Sequence, residues 1–368
     1  MSKSKNSMPA LIVIGLLAVA FGVYFQGSTG LKGTLPTFEK AIILPNSKAI
    51  QGLEFVDHQG QRFGKQQLLG RWSILFFGFT NCPDICPTTM QTLKQVKSKL
   101  VLDNTWGNYQ VIMVSVDPAR DTTQQLSNYV PYFDPEFIGI NGSLDVTTEF
   151  SKQLGILFYA NEADDDGRYD VDHGTALILV NPMGEMAGVI SAPHQADVIA
   201  RDLIKLAKYY AHDHKTPAAK LAPTRVNTLR QSQRTADKTL EINTGLTLTN
   251  GWIRPAPQGA ANMAGYFDLV NTSDADITIT QVESPFFDNA MIHQTVVSDG
   301  TASMQHLDGL LVPAKGRVSL APLATHLMLM EPGRDLQIGE RITVRLSTIA
   351  GQTYTFELEV RLNPSVSN

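Results

Sequence analysis

Cys82 and Cys86 are the two cysteines of a 368-residue chain. They stand in the segment Asn81, Cys82, Pro83, Asp84, Ile85, Cys86, Pro87, and two cysteines placed at random fall so close in only about 2% of chains. On a helical turn this spacing brings both sulfurs to one face. The apolar run at 72–78 leads into the segment, so the pair sits where a strand passes into a helix. A helix N-terminus favours the thiolate, which is both metal ligand and nucleophile. Two thiolates select Cu(I) or zinc and leave a trigonal site one ligand short. His173, in Asp170, Val171, Asp172, His173, Gly174, could supply that imidazole. The bland alternatives are a structural disulfide or inert buried thiols beside an ordinary loop histidine.

A second set contains no thiol. His293, Met304, His326 and Met328 follow the spacing His-x10-Met-x21-His-x-Met, and on a strand His326 and Met328 project to the same face. Imidazole and thioether together suit Cu(I), and two of each close a four-coordinate site. Taken singly, each methionine is better read as packing; the spaced set is what points to ligands. Met330 shares the face of His326 and Met328, and His306 lies two residues from Met304; both are read first as ordinary strand residues.

The elements that must position these residues fall into two groups. The run 72–78 and the run 109–116 read as central strands, and the apolar positions Met90, Leu93, Val96 and Leu100 recur at helical spacing after Pro87, which is placed to open the helix. Helical patterns follow at 122–129, 143–154 and 195–210, with a short strand at 137–140 and a hairpin at 175–181 and 185–191 turning on Pro182, Met183 and Gly184. Between 211 and 240 the apolar periodicity stops, which reads as a linker. Short strands then recur at 265–270, 277–282, 291–297, 301–306, 318–320, 326–330, 342–346 and 354–360, a sandwich-like spacing. The organisation expected is therefore an α/β domain over 41–210, a linker over 211–240 and an all-β domain over 241–363.

At the start, Lys3 and Lys5 precede an uncharged run at 8–25, which as a helix rises about 27 Å, close to the bilayer core of about 30 Å. This predicts a membrane anchor within 1–26, a single pass with the lysines inside, and both domains exported to the periplasmic side of a bacterial inner membrane. Lys plus Arg number 30 against 35 for Asp plus Glu, a net charge of −5, so no basic field invites nucleic acid. Two cysteines also exclude a four-cysteine zinc site and an all-cysteine iron-sulfur cluster.

The cysteine loop, the stretch 114–121 and the Asp172, His173 pair together resemble the Sco/SenC family over about 41–210, a thioredoxin-like fold used in assembling cytochrome c oxidase. The resemblance implies Cys82, Cys86 and His173 as copper ligands, with Cu(I) and also Cu(II) admitted there, and Gly174 stands where a serine commonly follows the histidine. Residues 245–360, with Asp308, Gly309, Leu310 and the run 326–330, are similar to the PCuAC-type periplasmic copper chaperones, cupredoxin-like β-sandwiches. That similarity implies His293, Met304, His326 and Met328 as ligands of a second copper ion. The function implied is a copper metallochaperone delivering to the copper-receiving subunit of cytochrome c oxidase, with a thiol-disulfide reductase as a further partner and no small-molecule turnover required. Two alternatives stand beside it: a thiol-disulfide oxidoreductase or thiol peroxidase acting through Cys82 and Cys86, and copper sequestration for tolerance.

Overall fold

The computed structural model describes residues 35–164, 167–213, 241–243 and 245–363. The expected anchor at 1–26 and nearly all of the expected linker lie outside the described residues. Among the described residues no helix is long and apolar enough to cross a membrane.

The first domain is built on two strands that are buried on both faces, β4 (Trp72–Gly78) and β5 (Tyr109–Ser115), which pair in parallel. Continuous apolar runs of this kind belong to the centre of a sheet covered on both sides. Before them come β1 (Ala41–Ala49), β2 (Phe55–Asp57) and β3 (Arg62–Phe63); after them β6 (Ile138–Asn141), β7 (Phe158–Ala160), β8 (Val171–Gly174), β9 (Leu177–Val180) and β10 (Glu185–Ile190). Eight of these form one mixed sheet in the order β1-β10-β9-β4-β5-β6-β2-β3, in keeping with the expected α/β domain. Its helices are α1 (Ile85–Leu102), α2 (Thr123–Phe133), α3 (Leu144–Gln153) and α4 (Ala196–Asp213). Side-chain caps open two of them: Thr122 accepts from the Gln125 amide and Ser143 from the Val146 amide.

Helix α1 begins at Ile85, earlier than Pro87. Proline fits within this first turn because the first amides of a helix have no carbonyl partner to lose. The shift places Cys86 inside the helix, where Met90, Leu93, Val96 and Leu100 continue its buried face. Helix α4 runs on to Asp213, beyond the expected boundary at 210.

The second domain comprises β11 (Glu241–Asn243), β12 (Leu246–Ile253), β13 (Asn262–Asn271), β14 (Ile277–Glu283), β15 (Phe287–Ser298) and β16 (Thr301–His306). It continues with β17 (Leu310–Val312), β18 (Arg317–Leu320), β19 (Thr325–Pro332), β20 (Arg341–Thr348) and β21 (Thr353–Val360). Strands β11, β12 and β17 are additional to those expected. Alternate residues point inward around one core: Met263, Phe267 and Leu269 of β13, Leu327 and Leu329 of β19, and Val344 and Phe356 of the β20–β21 hairpin.

The two domains are joined by a sheet. Strand β8 leaves the first-domain sheet, pairs with β7, and on its other edge pairs with β16, with Ala302 opposite His173 and Thr301 opposite Gly174. His173 lies not in a loop but within this strand, between β7, close by in the chain, and β16, and its β16 partner Ala302 is 129 residues further on (302 − 173), a pairing no local pattern announces.

Candidate metal centre

The first set forms as its spacing requires. The Cys86 amide, in the first turn of α1, donates to Cys82 Sγ at 3.4 Å, and Cys86 Sγ lies 3.6 Å from His173 Nε2. Both cysteines are free thiols and buried. His173 Nδ1 is 3.1 Å from the Gly174 carbonyl. That contact puts the ring proton on Nδ1 and turns the Nε2 lone pair toward the sulfurs. The carbonyl of Gly174 thus orients the imidazole without any hydroxyl side chain at that position. The rings of Phe79 and Phe76 stand edge-on to the imidazole, with centroids 6.0 and 6.4 Å away.

The two sulfurs differ in charge. Burial pushes Cys82 upward, but hydrogen bonding with Cys86 and the proximity of His173 bring it down to about 5. Burial and the neighbouring Cys82 thiolate raise Cys86 well above the usual thiol range. The loop therefore holds one thiolate and one thiol. Beneath it, Asp121 is fully buried and accepts from the Thr80 amide at 3.1 Å, the Thr80 hydroxyl at 2.6 Å and the Ser115 hydroxyl at 2.7 Å. Burial raises Asp121 to about 6 against the pull of these bonds. The sequence signalled the stretch 114–121 but not this strut.

The second set lies on the outer face of its sheet. His293 of β15 is directly opposite His326 of β19 on one side and His306 of β16 on the other; the ring centroids are 6.2 and 5.7 Å apart. Met328 is opposite Met291, one same-face step from His326. His326 Nδ1 is held 3.0 Å from the Ala324 carbonyl. Its Nε2, and both ring nitrogens of His293, are buried with no hydrogen-bond partner. Buried imidazole nitrogens left unpaired are costly unless something binds there. Burial, with His326 and His306 nearby, depresses His293 to about 3, so the ring is neutral and its lone pair is available. Met304 reaches the same face on β16 but flanks His293 diagonally, away from Met328, and packs against the first-domain core. Three of the four expected donors are neighbours, and the fourth stands at the domain boundary.

The sequence gives no sign that the two sets meet, yet Asp84, between the two cysteines, lies 3.8 Å from His326 Nδ1. Among the described residues, no three His, Cys, Asp or Glu side chains form a ready-made cage. The first set is a hydrogen-bonded cluster in which a metal ion would replace the contact between sulfur and imidazole. The second draws half of its donors from thioethers. Both donor sets are soft, and both fit Cu(I) better than a hard cation.

Comparison with known proteins agrees with this division. The SCO1/SenC family model matches residues 45–208, and the model described as "Putative lipoprotein LpqE-like" matches residues 246–360. A "Putative copper-binding protein" of Stutzerimonas stutzeri is 42% identical over 162 residues, 44% of this chain and 78% of that protein. Among solved structures, copper-bound ScoI of Arabidopsis thaliana is 29% identical and covers 45% of this chain and 98% of its own, with a TM-score of 0.39. The copper-bound PCuAC domain from PmoF2 is 18% identical and covers 34% of this chain and 99% of its own, with a TM-score of 0.30. A mitochondrial SCO2 homolog of Mus musculus is 34% identical over 194 residues, 52% of this chain and 76% of that protein, and with the family model over 45–208 this match shows that the chain belongs to the SCO1/SenC family.

Proposed function

We propose that the chain is an exported, membrane-anchored copper metallochaperone with two Cu(I) sites. The first is Cys82, Cys86 and His173; the second is His293, Met304, His326 and Met328 on a cupredoxin-like sandwich. The observation that carries this reading is the pair of soft donor sets, one with two free cysteines and an imidazole nitrogen 3.6 Å from the Cys86 sulfur and the other with buried imidazole nitrogens that have no partner. Copper is cargo here. It is received by the chain, passes between the two sets and leaves for the binuclear copper centre of a cytochrome c oxidase, on whose copper-receiving subunit the first domain acts.

Thiolates hold Cu(I) more strongly than thioethers, so the reduced cysteines draw copper from the second set, and a disulfide between them blocks that flow. The test is to load the reduced full chain with Cu(I), add a metal-free copper-receiving oxidase domain, and follow the metal. Transfer that stops on replacing Cys82 and Cys86 with serine supports delivery. Retention of copper in the presence of the acceptor supports sequestration and refutes delivery.

A second reading is favoured by the split between the Cys82 thiolate and the Cys86 thiol. This is the charge state of a dithiol ready to attack a disulfide. Reduction of an acceptor's cysteine pair before copper arrives would use the same loop, and it is distinguished by consumption of the dithiol without movement of metal.

A further inference from the structure

Asp84 stands at the N-cap of α1, where an aspartate ordinarily accepts from its own helix, yet its side chain makes no capping hydrogen bond. It is fully buried, and its carboxylate is served from elsewhere. Oδ1 accepts from the Tyr266 hydroxyl at 2.9 Å, with the Arg254 guanidinium 3.7 Å away. Oδ2 accepts from the Thr295 hydroxyl at 3.0 Å and from the Leu323 amide at 2.8 Å. All four groups belong to the second domain. A buried carboxylate persists where its charge is opposed and its lone pairs are filled, and here only the second domain does either.

The surrounding contacts extend the same surface. Arg254 also donates to the Asp84 carbonyl at 2.9 Å and to the Thr88 hydroxyl at 2.8 Å, and the Asn262 amide donates to the Asn81 carbonyl at 2.7 Å. Trp252, Ala264 and Tyr266, on the outer face of the sandwich and separate from its core, are buried. Beside Cys82 the space between the domains is a cavity of about 20 Å³, lined by Pro83, Pro87, Arg254, Pro255 and Met263 among others, room for roughly one water molecule. Cys82, Cys86, His173, His293 and His326 are each at most 5% exposed.

We propose that the loop 81–88 is the docking surface for the second domain of the same chain, with Asp84 as its key. The docked chain is a closed state: neither donor set touches an outside protein, and the domains separate before the cysteines meet an acceptor. An acceptor competes for this surface, and the chemistry that fits it is a hydroxyl, backbone amide or guanidinium presented to Asp84. The two-site copper reading gives closure its use, while the closure itself requires no metal.

The test uses the reduced, metal-free full chain in detergent micelles. Alkylation of Cys82 and Cys86 by iodoacetamide is followed by mass spectrometry, together with hydrogen exchange of the peptides spanning 81–88 and 262–266. Three proteins are compared: the unmodified chain, Asp84→Ala, and the double variant Arg254→Ala, Thr295→Val, which leaves the cysteine loop unaltered. Closure predicts at least about tenfold faster alkylation in both variants, for the loss of hydrogen bonds to a buried charge, with faster exchange on both faces. Equal alkylation rates in the unmodified chain and the double variant overturn the proposal. Acceleration in Asp84→Ala alone also overturns it, since the effect then belongs to the loop itself. If Asp84→Ala fails to fold, the double variant decides. Failure of the chain to bind copper would refute the proposed function and leave this result standing.

Discussion

Replacing Asp121 with asparagine tests whether the strut under the cysteine loop is held at a cost. The carboxylate is fully buried and raised from 3.8 to about 6, chiefly by burial, with the Thr80 and Ser115 bonds acting the other way. A carboxyl raised in the folded state binds its proton more readily there than in the unfolded chain, so stability rises as pH falls through 6 toward 4. The interval from 3.8 to about 6, at about 1.4 kcal/mol for each tenfold, is worth about 3 kcal/mol. Asparagine does not titrate. The stability of the unmodified chain relative to Asp121→Asn should therefore move by up to about 3 kcal/mol in favour of the unmodified chain between pH 7 and pH 4, while other titrating groups cancel in the difference. Urea unfolding of both proteins at the two pH values measures it. Parallel changes in the two proteins, or movement in the opposite direction, would refute the argument that burial dominates at this site.

Four further outcomes are expected. In the metal-free reduced protein, ultraviolet thiolate absorbance should show one thiolate persisting down to about pH 5, with the second thiol ionising only at strongly alkaline pH; two thiols titrating together near the ordinary range would contradict the charge split. Gly78→Ala places a Cβ 2.9 Å from Cys86 Sγ and 2.7 Å from the Phe76 ring, so thermal unfolding should show a loss of about 1–3 kcal/mol from overpacking. Forming the Cys82–Cys86 disulfide should release copper from the first site and leave the second loaded, read by metal analysis after mild oxidation; loss from both sites would show that they are one. His306→Ala should leave the copper stoichiometry unchanged, since His306 is half exposed and sits beside Asp308, whereas His326→Ala should remove one ion.

Much of the first domain was legible because its signals are local. The runs at β4 and β5 are buried on both faces, and a continuous apolar run bounded by turns reads as a central strand without further context. The cysteine spacing likewise carries its own geometry, since a helical turn brings residues four apart together. The start of α1 at Ile85 was missed because proline reads equally well at several first-turn positions. The pairing of β8 with β16 was invisible for another reason: two residue pairs between distant segments leave no periodicity to detect. The same holds for Asp84, Arg254, Tyr266 and Thr295. Each alone is an ordinary polar residue, and only docking makes them partners. Their one retrospective signal is Asp84 itself, a favoured capping residue that caps nothing. The second donor set was readable by spacing, but its place on the outer face of the sheet was not, because alternation fixes which residues share a face and leaves open what covers that face.

The central claim is that one chain holds copper in two separate sets of soft donors. It is tested most directly by the Cu(I) content of the reduced full chain, compared with the double variants Cys82→Ser, Cys86→Ser and Met304→Leu, Met328→Leu. The account predicts two ions per chain in the unmodified protein and one in each variant. A single ion in the unmodified chain that survives replacement of both methionines would contradict it and remove the second site.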